Sequence, residues 1–539
     1  MADRELVTLT IDGRTVEAHR GVSILEAARA SGFSIPYYCY HPGLSVVGNC
    51  RMCLVEIEKI PKLQPSCATP VAEGMIVHTS TPEALRNRRS VLEFLLLNHP
   101  LDCPVCDQAG ECELQNYYME HGAYDSRFNE NKTKRKKAFP IGPHVVLDQE
   151  RCILCTRCVR FTKEITKTGE LAVMDRGHRS EIDIFPGQEL NNPYSGCVVD
   201  ICPVGALTDR DFRFKCRVWF LGRTPSVCPG CSRGCNIEIH YNERFNARYH
   251  DTRIQRLKPR YNKDLNNFWM CDEGRYAYHS IDSPDRLTVP RVGRGDSAEE
   301  ASWDEAIRRT ATALKHTLEN YGPDGAAVLA SPQMTNEELF RLRALFRDQL
   351  KVNRLEFRVP PKNPGHGDNI LITADKNPNT RGAEVLGLAG EGVEAILREC
   401  AAGRIHFLYV CHHDLLGGLD REMVHEALAK VEFVACEASW QQPTFALSDV
   451  QLAEAVYAEK EGTFTNCQGR VQKISAAVPP LGMSLPGLEI LARLASALDI
   501  PLPSRPASEV FEEIGRQVEA FSGMTYRTVG ESGQLLRQG

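Results

Sequence analysis

The sequence predicts a multidomain chain, α+β in its front half and α/β behind, and three observations carry that prediction. Seventeen of the 21 cysteines stand between residues 39 and 271, and only Cys400, Cys411, Cys436 and Cys467 follow. The front cysteines fall into four groups with close local spacing. Beyond residue 280 the pattern changes to short apolar runs alternating with amphipathic stretches, the pattern of a doubly wound α/β domain. A chain of 539 residues, 42% hydrophobic, has material for several domains and several cores.

The charge balance excludes some classes. With 64 basic and 70 acidic side chains, net −6, the chain lacks the strongly basic balance of a dedicated nucleic-acid binder. No apolar run approaches the roughly 18 residues that cross a bilayer; the longest centres on Leu95, Leu96 and Leu97. Met1-Ala2-Asp3-Arg4-Glu5 shows no basic start followed by an apolar stretch. The expectation is a soluble cytoplasmic chain, and in a reducing compartment clustered cysteines are metal ligands before they are disulfides.

The first elements are local. Val7, Leu9 and Ile11 alternate as a strand does, and Asp12-Gly13 turns the chain back through residues 15–18 as a hairpin. Ser23-Ile24-Leu25-Glu26 is a capping box that opens a short helix closed by Gly32. The first cysteine group follows: Cys39, Cys50, Cys53 and Cys67, spaced C-x10-C-x2-C-x13-C. Hairpin, helix and cysteine loop is the order of a plant-type [2Fe–2S] ferredoxin, though the first gap is longer than the usual four residues. A four-thiolate zinc site is the alternative.

The second group is His99, Cys103, Cys106 and Cys112, H-x3-C-x2-C-x5-C. Three thiolates leave one corner of a cuboidal cluster open, and an imidazole can fill it; a Cys3His zinc site fits the same spacing. Between this group and the next runs Lys132-Thr133-Lys134-Arg135-Lys136-Lys137, expected as a solvated linker, or else as a docking surface for a partner.

In the third group Cys152, Cys155 and Cys158 give C-x2-C-x2-C, and Cys202-Pro203 supplies a distant fourth thiol followed by proline, a bacterial-ferredoxin run. The twin site of a two-cluster ferredoxin is erased: Thr162 replaces its cysteine, and Val198, Ser195 and Asn192 stand at the mirror positions. The fourth group, Cys228, Cys231, Cys235 and Cys271, is spaced C-x2-C-x3-C-x35-C, which suits a [4Fe–4S] cluster or a structural zinc. Cys197, Cys216 and the four rear cysteines are expected as buried, inert thiols. Four clusters on one chain imply a path for single electrons, and nothing in this half suggests acid–base or nucleophilic catalysis.

The order of motifs resembles the large iron–sulfur subunit family of respiratory complex I. The resemblance is carried by Cys39-Tyr40-His41-Pro42-Gly43-Leu44, Asn49-Cys50-Arg51-Met52-Cys53-Leu54-Val55-Glu56, His99-Pro100-Leu101-Asp102-Cys103-Pro104-Val105-Cys106-Asp107 and Asp200-Ile201-Cys202-Pro203-Val204-Gly205-Ala206-Leu207, and it covers nearly all of residues 1–280. It implies a β-grasp [2Fe–2S] ferredoxin-type domain at 1–82, a His(Cys)3 [4Fe–4S] domain at 83–122, a one-cluster [4Fe–4S] ferredoxin-like domain at 143–212, and a [4Fe–4S] domain of molybdopterin-oxidoreductase type at 221–277. It further implies electron transfer from a flavin- and NADH-binding subunit toward quinone, coupled in the whole complex to proton translocation. The partners would be other peripheral-arm subunits. The place would be the cytoplasmic face of a bacterial inner membrane, reached through the complex and without a span of its own.

The rear half, 278–539, reads as strands and helices in turn. Ser302-Trp303-Asp304-Glu305 is a capping box, with Ile307, Ala311, Leu314 and Leu318 on one stripe before Gly322. Strands are expected at 326–330, 370–373, 406–411 and 431–435, and helices at about 336–350, 419–429 and 483–500. No G-x-G-x-x-G opens a helix, so an NADH site is not expected here. Residues 302–307, Thr335-Asn336-Glu337-Glu338, Asn377-Pro378-Asn379 and 461–466 resemble the molybdopterin oxidoreductase family, which implies a shortened scaffold of that type. No molybdopterin is expected.

Rival functions are an iron–sulfur subunit of a formate dehydrogenase or of a NAD-linked hydrogenase complex. Cys400, in Arg398-Glu399-Cys400-Ala401, is a poor molybdenum ligand, and a hydrogenase would need further clustered thiols behind residue 280.

Overall fold

In the computed structural model the described residues are 5–242, 252–358 and 365–537. They fall into two units, Met1–Leu221 and Gly222–Gly539.

The front unit starts with the expected hairpin. Strand Leu6–Ile11 pairs antiparallel with Arg14–His19 and parallel with Ile76–His78; Leu54–Ile57 and Gln64–Pro65 complete a five-stranded sheet. Asp12 and Gly13 both take positive φ (47° and 79°), as a type I′ turn requires. The Asp12 carboxylate leaves the turn to accept from the Thr79 amide and hydroxyl at 2.7 and 2.5 Å. Helix Ile24–Ala30 has both halves of its capping box. It ends with Phe33 N–H donating to Ala28 O (2.9 Å) and Gly32 N–H to Arg29 O (3.2 Å), a Schellman closure for which Gly32 supplies φ +81°. Val7, Leu9 and Ile11 point inward onto Ile24, Leu25, Val55 and Val77.

Helix Pro82–Leu96 follows, N-capped by Thr81, and then helix Glu113–His121. Strand Val145–Leu147 pairs with Leu207–Asp209 and with Phe139–Pro140, and helices Arg157–Glu164 and Cys197–Ile201 lie between them in sequence. A second apolar cluster joins Tyr38, Met52, Leu92, Leu114, Val204 and Ala206.

The basic run 132–137 is not a loose linker. Lys132 Nζ donates to the carbonyls of Leu96 and Leu97 at 2.8 and 3.0 Å, satisfying the open C-terminal end of helix Pro82–Leu96. Arg135 donates to Ser180 O and His178 O, and Lys137 pairs with Asp102 at 2.6 Å and Glu150 at 2.9 Å. Lys134 and Lys136 stay exposed, so part of its charge is spent within the unit and part faces solvent.

The rear unit opens with the three-stranded sheet Leu221–Val227, Asn236–Asn242 and Ile254–Pro259, the last two paired antiparallel. Its centre is a seven-stranded sheet. Val450–Ala453, Phe433–Ala438, Phe407–Cys411, Ala326–Leu329 and Leu355–Glu356 run parallel, and Arg291–Val292 and Glu299–Glu300 add an antiparallel edge. All four residues of Ala326–Leu329 are fully buried, as a central parallel strand demands.

Several expected elements differ. Residues 370–373 form no strand: the Asp368 carboxylate takes the N–H groups of Ile370, Leu371 and Ile372 at 2.8–3.0 Å, so the backbone folds around one side chain instead of pairing. Ser302 caps Glu305 N–H at 3.2 Å, but Glu305 does not return the bond; it pairs with Arg309. The stretch 336–350 is helix Asn336–Arg343 followed by a π-helical turn over Ala344–Gln349. Helix 483–500 shortens to Gly487–Ala497, and beyond Pro503 helix Ala507–Gln517 packs Val510, Phe511 and Ile514 into the main core. Cys467 is exposed, not buried.

Candidate metal centres

The four expected ligand groups are each drawn together by local backbone geometry. In the first, positive φ at Gly48 and Arg51 (60° and 56°) curls the loop so that Cys39, Cys50, Cys53 and Cys67 face one another. Their sulfurs already hydrogen-bond in a chain: Cys39 with Cys50 and Cys67, and Cys67 with Cys53. Cys39 receives those bonds together with the Asn49 and Cys50 amides, which holds its thiol far below the usual range, while Cys50 and Cys67 are pushed up in step.

In the second group His99 follows the end of helix Pro82–Leu96, Cys103 starts a 3-10 turn, and Cys112 is the N-cap of helix Glu113–His121. His99, Cys103 and Cys112 line one cavity of about 500 Å³. Burial raises the Cys112 thiol to about 11, opposed by the Leu114 and Gln115 amides at the helix start. Burial, and then the Arg151 charge, pulls His99 down to about 4, so at neutral pH it is the neutral imidazole that binds metals. Cys106 lies against Gly205, where any Cβ would strike its sulfur, so the second and third loops interlock at this point.

In the third group Cys152, Cys155, Cys158 and Cys202 line a common gap of about 20 Å³. Leu154 and Thr156 take positive φ (55° and 61°), turning each successive C-x2-C step inward. Leu154 N–H donates to Cys152 Sγ at 3.4 Å. Burial lifts Cys152 and Cys155 to about 12, and the neighbouring thiols add to it. Thr162, at the erased ligand position, is buried and bonds back to Val159 O at 3.1 Å.

In the fourth group Cys228, Cys231, Cys235 and Cys271 line a gap of about 10 Å³. Cys228 N–H donates to Cys235 O at 2.9 Å, and Cys271 caps helix Asp272–Tyr276 by accepting from Gly274 N–H at 3.4 Å. Gly274 leaves room for sulfur: a Cβ there would stand 2.8 Å from Cys228 Sγ.

These donor sets fit a soft metal group. Packed thiols that burial and mutual repulsion keep protonated ionise when a cation supplies the missing charge, and the backbone amides aimed at Cys39, Cys112, Cys152 and Cys271 favour thiolate. Among the described residues no three His, Cys, Asp or Glu side chains close around one ion-sized point; the four cysteines of the third group and the four of the fourth each surround a separate small gap.

Sequence reasoning missed three buried arginines threaded between the ligands of the third group. Arg151 pairs with Asp102 at 2.9 Å, Arg157 with Glu113 at 3.5 Å, and Arg160 bonds carbonyls of two ligand loops. Three cations inside a buried cysteine run, Arg151-Cys152 through Cys158-Val159-Arg160, were the available signal.

Cys197 and Cys216 are buried and outside every group, and the described residues contain no disulfide. No helix among the described residues is long and apolar enough to cross a membrane.

Fold and site together define a modular iron–sulfur protein joined to an α/β domain of molybdopterin-oxidoreductase type. Family models match in that order: a 2Fe-2S iron-sulfur cluster binding domain (4–82), the NADH-ubiquinone oxidoreductase-G iron-sulfur binding region (88–127), the NADH-quinone oxidoreductase subunit 3 ferredoxin-like domain (142–208), the molybdopterin oxidoreductase Fe4S4 domain (222–283) and molybdopterin oxidoreductase (361–497).

The chain is a homologue of the large iron–sulfur subunit of NADH-quinone oxidoreductase, the G-type subunit of the bacterial enzyme. It is 29% identical to the G-type subunit of NADH-quinone oxidoreductase from Rickettsia felis, over 96% of this chain and 92% of the relative. It is 42% identical to the mitochondrial NADH-ubiquinone oxidoreductase 78 kDa subunit of Neurospora crassa, over 70% of this chain and 50% of that one, so at this higher identity it spans about half the relative's length. Among solved structures it is similar to a chain of a NAD+-reducing [NiFe]-hydrogenase, with 32% identity, 39% of this chain and 91% of that chain covered, and a TM-score of 0.36.

Proposed function

We propose that this chain is the electron-carrying subunit of an NADH:quinone oxidoreductase, passing electrons from a flavin- and NADH-binding subunit toward quinone within a complex that translocates protons. The observation that carries the reading is the apolar cluster in which Cys39 and Cys155 are buried beside Cys50, Cys112, Cys152 and Cys202, ligands of three groups in one packed core. Iron–sulfur clusters supply one-electron chemistry, and its rate needs carriers held close and dry. The chain's own residues provide that setting. Leu92, Leu114, Val204 and Ala206 exclude water from the shared core. Backbone amides stabilise the thiolates, and His99 stays neutral and able to ligate.

The assignment is one [2Fe–2S] cluster on Cys39, Cys50, Cys53 and Cys67, and three [4Fe–4S] clusters. These sit on His99, Cys103, Cys106 and Cys112; on Cys152, Cys155, Cys158 and Cys202; and on Cys228, Cys231, Cys235 and Cys271. The domains are 1–82, 83–122, 143–212, 221–277 and a molybdopterin-oxidoreductase-like scaffold at 278–539. The chain works at the cytoplasmic face of a bacterial inner membrane, held there by other subunits.

The scaffold works without molybdopterin. In support, the polar groups that resemble that family bind one another. Asn336 donates to Thr463 and Thr465, Glu337 accepts from Thr463, and Thr465 N–H donates to Asn379. Low-temperature EPR with iron and molybdenum analysis of the anaerobically purified full chain tests this. One [2Fe–2S] and three [4Fe–4S] signals without molybdenum are expected; zinc in place of iron, or bound molybdenum, would overturn it.

A further inference from the structure

Arg160 lies at the end of the third ligand run, two residues beyond Cys158, and is only 6% exposed. One guanidinium nitrogen donates to Cys39 O at 2.5 Å and to Cys155 O at 3.4 Å. The other terminal nitrogen donates to Ser45 O, and Nε to Thr156 O at 3.3 Å. A single side chain thus grips the backbone of a first-group ligand and of a third-group ligand at once.

Its counter-charge is unlike that of its neighbours. Arg151 and Arg157 each meet a carboxylate within ion-pair distance, whereas every hydrogen bond of Arg160 among the described residues goes to a carbonyl. A buried guanidinium keeps its proton and is costly unless something negative faces it. Glu164, one turn further on, spends its carboxylate on the Ser45 amide and hydroxyl, at 2.9 and 2.5 Å. The groups that face Arg160 are Cys39 and Cys155 from the packed loops and, beyond ion-pair distance, Glu164 from its own helix, with Arg157 adding a second positive charge nearby. Thiolates carrying iron would supply the missing negative charge from both sides.

We propose that Arg160 is a positioning residue shared by the first and third metal centres: it locks their ligand loops in contact and, as one fixed cation between two anionic clusters, raises the reduction potential of both. The proposal rests on the cluster assignment above. Reduction adds negative charge to a cluster, so a nearby cation favours the reduced form. The planar fork also gives a hydrogen-bonded link, Cys39 O to guanidinium to Cys155 O, that a lysine's single ammonium reproduces poorly.

The test is redox-titrated EPR on the full chain carrying Arg160→Gln, Arg160→Lys or Ser45→Ala. Arg160→Gln should lower both midpoints. A tenfold loss in each reduction equilibrium constant corresponds to about 59 mV for one electron. It should also weaken the magnetic interaction between the two reduced clusters. Arg160→Lys should keep the midpoints near wild type and still weaken that interaction. Ser45→Ala removes the hydroxyl half of the Glu164 tie between the same loops, leaves the Arg160 bonds in place, and should leave both readouts alone. Unchanged midpoints in Arg160→Gln, or equal shifts in Ser45→Ala, would overturn the proposal. If Arg160→Gln fails to fold, the Arg160→Lys interaction signal decides alone. A wild-type chain lacking either cluster signal would instead refute the cluster assignment, so the two failures are distinguishable.

Discussion

The front and rear units hold themselves together by different means. The rear unit builds one continuous apolar core around its sheet: Val328, Leu408, Tyr409, Val434 and Leu452 are all fully buried and belong to one cluster. The front unit divides its apolar residues among smaller clusters, and in the one around Tyr38 and Leu92 the cysteines themselves are core residues. Small modules cannot bury enough apolar surface to offset the entropy of ordering the chain, so they lean on metal. Buried charge fills the remaining gaps. Arg88 donates to Thr79 O, Arg157 to Ile201 O, and Arg151 and Lys137 share Asp102. A rear-unit fold should therefore survive conditions that dissolve a front-unit fold.

Removing iron breaks the comparison open with the largest effect. Structural metals contribute on the order of 10 kcal/mol to small domains. Anaerobic chelation should make residues 30–210 protease-sensitive while 300–535 keeps its resistant core. Calorimetry should lose one transition and retain the other. A front unit that stays resistant without iron would mean its apolar clusters suffice.

Within the front unit the effect of one ligand should stay local. His99→Ala should abolish or alter the second cluster's EPR signal and leave the others, because His99 lines a cavity with Cys103 and Cys112 alone among the cluster ligands. Unchanged EPR and iron content in that variant would remove His99 from the ligand set. Cys197→Ser should change no cluster signal, since Cys197 belongs to none of the four groups.

The rear unit's weak point is charge inside its own core. Lys460 Nζ contacts Glu338 at 2.7 and 2.9 Å and Glu454 at 2.5 Å, with all three side chains buried. His412 also contacts Glu454, and Tyr409 donates to Glu437 at 2.5 Å. Lys460→Met would leave two carboxylates facing each other in the core, at a cost of about 3–5 kcal/mol. Thermal unfolding should show the rear transition falling while iron content stays at wild type. Loss of iron from the first three groups in that variant would contradict the separation of the units.

The same contrast decides what could be read ahead of the structure. The hairpin at Asp12-Gly13, the capping box at Ser23 and the closely spaced cysteines were legible because each is a short-range pattern with its own chemistry; that the distant Cys202 and Cys271 lie beside their groups is what the fold supplies. Residues 370–373 looked like a strand because apolar β-branched runs do; the Asp368 carboxylate that claims their amides leaves no periodic trace. The run 132–137 looked like solvent-facing charge, since nothing local indicates that Leu96 and Leu97 carbonyls await Lys132. Arg160 stood in view as a cation in the cysteine run, but its partners were invisible for the same reason. A buried cation's meaning lies in which carbonyls it reaches, and here they stand 121 and five residues away in sequence.

The smallest expected effect is acid sensitivity of the rear unit. His413 donates its Nε2–H to Ala330 O at 2.7 Å, and burial holds its pKa down to about 4, against about 6.5 for an ordinary histidine. The unfolded chain therefore takes up this proton first. The stability His413 contributes is complete above pH 6.5 and is lost as pH falls from there through 4, amounting to about 1 kcal/mol lost by pH 5.5. Glu337 acts in the opposite sense. Burial lifts its carboxyl to about 7, so its contribution is present below pH 4.5 and is lost as pH rises through 7. His240, in the same unit, is likewise held down to about 4 by burial and adds a loss of the same sign, while the buried Glu437 carboxyl, pushed up, adds a gain. His413→Gln retains a donor for Ala330 O but cannot titrate, which removes one of the losses. Its rear transition should therefore lose less stability than wild type, by about 1 kcal/mol, on acidification from pH 7 to pH 5.5. Thermal unfolding of the iron-loaded chain at the two pH values measures this, and a slope identical to wild type would place the acid response in other groups.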